Sequence, residues 1–148
     1  MPIPQVSVYL DNRPGSLSEA MAQLDRNQIQ VFALSIADAG EFGLVRMVTE
    51  DPEKATTVLE AVDYNLAKSR RNTEVIAVFM GDEDKISKIT KILADGGINI
   101  EYAYSSAVHV NGKIALILRA NAIENAEKIL KANSITVLTL TEIKKYFQ

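Results

Sequence analysis

The chain has no cysteine, no tryptophan and a single histidine, His109, in 148 residues. Without thiols there can be no disulfide, no cysteine nucleophile and no thiolate metal site, and one imidazole gives no support to a histidine metal cluster or a Ser-His pair. No metal and no cofactor is expected. Long apolar runs are missing too. Nothing approaches the roughly 18 consecutive apolar residues of a membrane-spanning helix, and Met1-Pro2-Ile3-Pro4 lacks the charged and apolar regions of a secretory signal. The expectation is a cytoplasmic protein without membrane contact. A net charge of -3 and a pI of 5.2 supply no field for nucleic acid, and the basic run Lys68-Ser69-Arg70-Arg71 is short enough to be a solvated strand end or linker. What is present is 47% hydrophobic and 24% charged, ordinary globular material for one domain or two small ones that share buried surface.

The dominant positive feature is a repeat. A strand-like run, a helical run ended by Asn or Gly, two more strands, a second helix and a closing strand return in the same order about 70 residues later. In the first copy Val6, Val8 and Leu10 alternate with Ser7 and Tyr9, the period of a strand with one face on a core. Ser16 and Glu19 have the spacing of a capping box, and Leu17, Ala20, Met21 and Leu24 fall on one helical face. Residues 29–37 and 43–50 read as strands joined by Asp38-Ala39-Gly40-Glu41. Asp51-Pro52-Glu53 is a cap, a first-position proline and an acidic first turn, followed by the stripe Ala55, Val58, Leu59 and Val62 and a strand at residues 64–69.

The second copy uses different punctuation. Residues 74–80 read as a strand, Asp82 or Asp84 as the cap of a helix that turns Ile86, Ile89 and Leu93 inward, and Gly96-Gly97 as its end. Strands follow at 98–106 and 113–119 around Asn111-Gly112, then a helix capped by Asn121 and Glu124 with Ala126, Ile129 and Leu130 inside. A strand at 135–140 and a short helix at 141–147 carrying Ile143 and Phe147 complete it. The expected fold class is α+β: two ferredoxin-like βαββαβ units, residues 1–71 and 72–148, each an antiparallel sheet with both helices on one face. A unit of about 70 residues buries little core, so side-by-side packing as a pseudo-dimer is expected to add burial and cover strand edges.

One loop carries the best binding signal. In Asn12-Arg13-Pro14-Gly15-Ser16-Leu17 the proline stiffens the chain, Gly15 lets a ligand approach the backbone, and the amides of Gly15, Ser16 and Leu17 stand at a helix N-terminus without internal partners. An anion fits there, but the dipole contributes only roughly 0.3 to 1 kcal/mol, so directed hydrogen bonds must add to it. Asn12 offers a donor and an acceptor, which suits a zwitterion. The same residues also suit a tight turn with no ligand.

The run Leu10-Asp11-Asn12-Arg13-Pro14-Gly15-Ser16-Leu17, followed by an amphipathic helix and a strand, resembles the ACT domain, a small-molecule regulatory module of amino-acid metabolism. Gly96-Gly97-Ile98-Asn99-Ile100 is similar to that family's entry to its second strand, and the resemblance covers nearly the whole chain as a tandem pair. It implies an L-amino acid held by Asp11, Asn12, Arg13, Pro14, Gly15, Ser16 and Leu17 of one unit and by Ile98, Asn99, Ile100 and Tyr102 of its neighbour. It also implies a homodimer that senses its ligand and allosterically modulates a separately encoded enzyme or regulator, without catalysis. The equivalent second loop, Gly81-Asp82-Glu83-Asp84-Lys85-Ile86, lacks the Asn and Pro, and Gln30 stands where the other copy has Asn99. One competent site per chain is therefore expected.

Other residues carry weaker signals. Tyr102 and Tyr104 suit core or interface as well as a pocket wall; Arg46 suits the helix-free face of its strand; His109 suits the surface; Phe42 and Phe79 suit packing. Two alternatives stand beside the sensor: a regulatory subunit resembling the small subunit of acetolactate synthase, and an acylphosphatase-like hydrolase using Arg13. The second lacks a convincing base. An RNA-recognition module of this topology lacks stacking aromatics and a basic sheet face.

Overall fold

In the computed structural model the described residues are 2–61, 65–66, 73–109 and 112–146. Contacts divide the chain into a first unit, Pro4–Thr73, and a second, Met1–Ile3 with Glu74–Gln148. The short strand β1 (Ile3–Pro4) belongs to the second unit's sheet, where Ile3 is buried.

The first unit runs β2 (Val6–Asp11), α1 (Ser16–Arg26), β3 (Val31–Ala39), β4 (Phe42–Thr49), α2 (Pro52–Ala61) and β5 (Asn65–Leu66), with sheet order β3-β4-β2-β5 and every pairing antiparallel. Val6, Val8 and Leu10 meet Ala20 and Leu24 of α1, Val45 and Met47 of β4, and Ala55 and Leu59 of α2, as the alternation and the helical stripes require. Each fully buried large aliphatic side chain contributes about 1.5 to 3 kcal/mol. The β3–β4 turn closes through Gly40, whose φ of +81° lies where an L side chain is strained. Asp51 caps α2, accepting the Lys54 amide at 3.0 Å.

The second unit runs β6 (Glu74–Phe79), α3 (Ile86–Asp95), β7 (Ile100–Ser105), β8 (Ala115–Ala120), α4 (Ile123–Ala132), β9 (Val137–Leu138) and α5 (Leu140–Tyr146). Its sheet order is β1-β6-β8-β7, with β9 also on β6. Ile76, Val78, Leu116 and Leu118 pack on Ile89 and Leu93 of α3 and Ala126 and Leu130 of α4. Ile143 anchors α5.

The copies agree in detail. β3 carries a bulge between Val31 and Ala33, and β7 carries one between Ile100 and Tyr102. The helix ends agree as well: Gln28 holds φ +57° after α1, as Gly97 holds φ +75° after α3.

Three expected caps are corrected. Helix α1 starts at Ser16 itself with Gly15 as its cap residue and no side-chain cap bond, because Gly15 at φ +89° already turns the chain into the helix. Glu19 instead meets the Arg13 guanidinium at 3.3 Å. Helix α3 is entered through Lys85 rather than Asp82 or Asp84, and Ile86, expected inside, is the helix's first residue and is 59% exposed, while Ile89 and Leu93 are buried. Helix α4 is entered through Ala122, since the Asn121 side chain is engaged elsewhere. The last strand is also shorter than expected, at Val137–Leu138. The expectations for Val62, for Lys68 to Asn72, for Asn111 and for Phe147 lie outside the described residues.

Candidate functional site

Four residues, 12–15, connect β2 to α1. Asn12 fastens this loop to the β3–β4 turn: its amide donates to Glu41 O at 2.9 Å, and its Nδ2 donates to Gly40 O at 3.0 Å and to Asp38 Oδ1 at 3.4 Å. Arg13 donates its amide to Asp11 O and lays its guanidinium 3.8 Å from the Asp11 carboxylate. These charges are more than half exposed, so each pair is worth at most about 1 kcal/mol. Pro14 is exposed, and a Cβ placed on Gly15 would meet nothing within 4 Å.

The helix terminus is part free and part committed. The Ser16 amide reaches back to Arg13 O at 3.3 Å, and the first intrahelical bond runs from Glu19 N–H to Gly15 O at 2.9 Å. Among the described residues the amides of Gly15, Leu17 and Ser18 have no hydrogen-bond partner. Ser18 escaped the sequence reading, although counting the open amides of a first turn from Ser16 finds it. The Ser16 hydroxyl is buried without a partner, and Leu17 packs half-buried against the first unit's core.

The second unit's counterpart is built differently. Six residues, 80–85, join β6 to α3. Asp84 closes the loop on itself, donating its amide to Gly81 O at 3.1 Å and accepting Gly81 N–H on Oδ2 at 3.3 Å. Lys88 neutralises Asp84 at 3.2 Å, and Lys113 neutralises Asp82 at 3.3 Å.

Ile98, Asn99, Ile100 and Tyr102 lie at the entry to β7. Ile98 is buried and Ile100 half-buried against the second unit's core. Asn99 and Asn121 clasp each other: Asn99 N–H donates to Asn121 Oδ1 and Asn121 N–H to Asn99 O, both at 3.1 Å. The Asn99 side chain is exposed. Gln30 and Glu50 make the same clasp in the first unit, at 2.8 and 3.0 Å. Tyr102 stacks on Tyr104 with ring centroids 6.5 Å apart, and His109 is exposed. Asp11 to Leu17 thus come together in the first unit and Ile98 to Tyr102 in the second. A shallow, open depression of about 290 Å³ at Ala122, Ile123, Glu124 and Asn125 includes none of them. No helix among the described residues is long and apolar enough to cross a membrane.

Comparison with known proteins agrees with this architecture. A protein of Bacteroides thetaiotaomicron is 27% identical, covers 98% of this chain and 97% of its own, and superposes with a TM-score of 0.82. The regulatory subunit of aspartate kinase from Thermus thermophilus is 18% identical over 86% of this chain and 87% of its own, at TM-score 0.60. Its Thermus flavus counterpart is 19% identical over 88% and 92%, at 0.53. No curated protein matches. The family described as an ACT domain pair matches residues 1–146, and the chain belongs to it.

Proposed function

We propose that this ACT domain pair is a non-catalytic L-amino-acid sensor that modulates a separately encoded enzyme or regulator of amino-acid metabolism, acting as a homodimer. The observation that carries the reading is the first-unit loop, with open amides at Gly15, Leu17 and Ser18 beside a glycine with empty space over it. Amide donors of this kind suit the ligand's carboxylate. Asp11, Asn12, Arg13, Pro14, Ser16 and Leu17 complete the first wall, and Ile98, Asn99, Ile100 and Tyr102 are assigned to a second wall by the family resemblance.

The second loop argues for one ligand per chain, because its Gly81 amide is taken by Asp84 and is not open to a ligand carboxylate. A partner chain is proposed by analogy: the Thermus thermophilus structure is named as a regulatory subunit, and the likeness to it is one of fold. Only a difference in ligand affinity between two conformations of the pair can shift such a partner. For a ligand of about ten heavy atoms at ~0.5 to 0.8 kcal/mol per atom, the affinity is micromolar to sub-millimolar.

A thermal-shift screen of the twenty amino acids in both enantiomers tests this. One or a few L-enantiomers should raise the melting temperature, and neither Asn12→Ala nor Asn99→Ala should respond. A flat screen ends the proposal. Calorimetry should then count one ligand per chain, and two would remove the asymmetry.

A further inference from the structure

We infer that Asp38, at the turn end of β3, is a positioning residue that fixes the Asn12 side chain so that its oxygen, and not its nitrogen, faces the bound amino acid. The inference rests on the reading of residues 11–17 as an amino-acid site and extends it to the ligand's chemical class and orientation. Asn12 Nδ2 lies 3.0 Å from Gly40 O and 3.4 Å from Asp38 Oδ1. Both partners are pure acceptors, so only the NH2 end of the amide can face them. The Oδ1 end is turned away, and among the described residues no protein donor reaches it.

Asp38 Oδ1 performs a second task in the same place. It accepts Gly40 N–H at 3.0 Å, which holds the turn whose carbonyl also receives Asn12. Asn12 N–H on Glu41 O at 2.9 Å adds a third tie between loop and turn. The Asn12 side chain is left with one open function, an acceptor, in the loop that leads to the open amides of Gly15, Leu17 and Ser18. An ammonium group satisfies the acceptor and a carboxylate satisfies the donors. A 2-oxo acid of the same skeleton offers the carboxylate alone and leaves the Asn12 oxygen unpaired.

Asp38→Asn keeps an oxygen that can accept both bonds and removes the charge, whereas Asp38→Ala removes both. Two measurements on the full chain separate the possibilities. In the ligand-free protein, NMR hydrogen exchange of the Asn12 side-chain NH2 and the Gly40 amide should speed up about fivefold or more in Asp38→Ala and stay near the parent rate in Asp38→Asn. In calorimetric titration with each of the twenty L-amino acids, any that binds the parent should bind Asp38→Ala about fivefold more weakly and Asp38→Asn within about twofold. The matching 2-oxo acid should bind the parent at least about tenfold more weakly than the amino acid. Circular dichroism confirms that both variants are folded.

Equal weakening in the two variants overturns positioning in favour of direct charge attraction. Faster exchange in Asp38→Ala with unchanged binding overturns the role while leaving the amino-acid site intact. No binding of any amino acid to the parent defeats the site reading itself and this role with it.

Discussion

The two β–α loops differ where their scaffolds do not. Residues 12–15 make a short connection that leaves three amides open, while residues 80–85 make a longer one that spends a carboxylate on its own backbone. Around them the units match: a bulge at the same place in β3 and β7, the Gln30–Glu50 and Asn99–Asn121 clasps, and a left-handed residue after α1 and α3. The cores fix the sheet and helices through buried aliphatic contacts, and these constrain a connecting loop only at its ends. A loop can therefore change its chemistry without changing the fold. The clasps show the same independence, since a carboxylate in one unit and an amide in the other each accept a strand-entry N–H.

The comparison can be broken most forcefully at the core. Leu24 and Leu93 are both 0% exposed in matching helices, and truncating either to alanine should cost about 2 to 5 kcal/mol in denaturant unfolding. A loss in only one would show that the units are not equivalent. Next comes the loop contrast itself. Gly15→Val forces an L side chain to φ +89° and sets it in the space a ligand needs, so it should cost roughly 1 to 2 kcal/mol of stability and abolish the thermal-shift response. Gly81→Ala meets only the flexible Asp84 carboxylate, 3.0 Å from the new Cβ, and should leave that response unchanged.

Smaller effects sharpen the picture. Asp51→Ala removes the one side-chain cap bond seen among the four main helices of the described residues, and should lower stability by about 1 kcal/mol in thermal unfolding. Gln28→Gly places in the first unit what Gly97 supplies in the second, and should raise stability by roughly 0.5 to 1 kcal/mol. A loss there would mean that the Gln28 side chain contributes more than its backbone strain costs.

The sequence made the helices and strands legible because their signals are local. Val6, Val8 and Leu10, or Ala55 and Leu59, announce their buried faces by spacing alone. Helix entries were less legible, since a Ser, Asp or Asn near a start can serve several acceptors. Asp51 took the cap, Asp84 took Gly81, and Asn121 took Asn99. The candidate loop was found from its glycine, its proline and its family resemblance, but its ties to Asp38, Gly40 and Glu41 bridge 26 or more residues and leave no local pattern.

By itself the sequence determined the repeat, the class of the elements from β2 onward and the exclusion of thiol chemistry, because periodicity and composition act over a few residues or none. Only the tertiary structure decided which polar group meets which. It turned the Asn12 nitrogen onto the β3–β4 turn, committed the Ser16 amide to Arg13 and moved Ile3 into the second sheet. Hydrogen bonds are short and directional, so their partners are chosen by where the fold brings distant segments together.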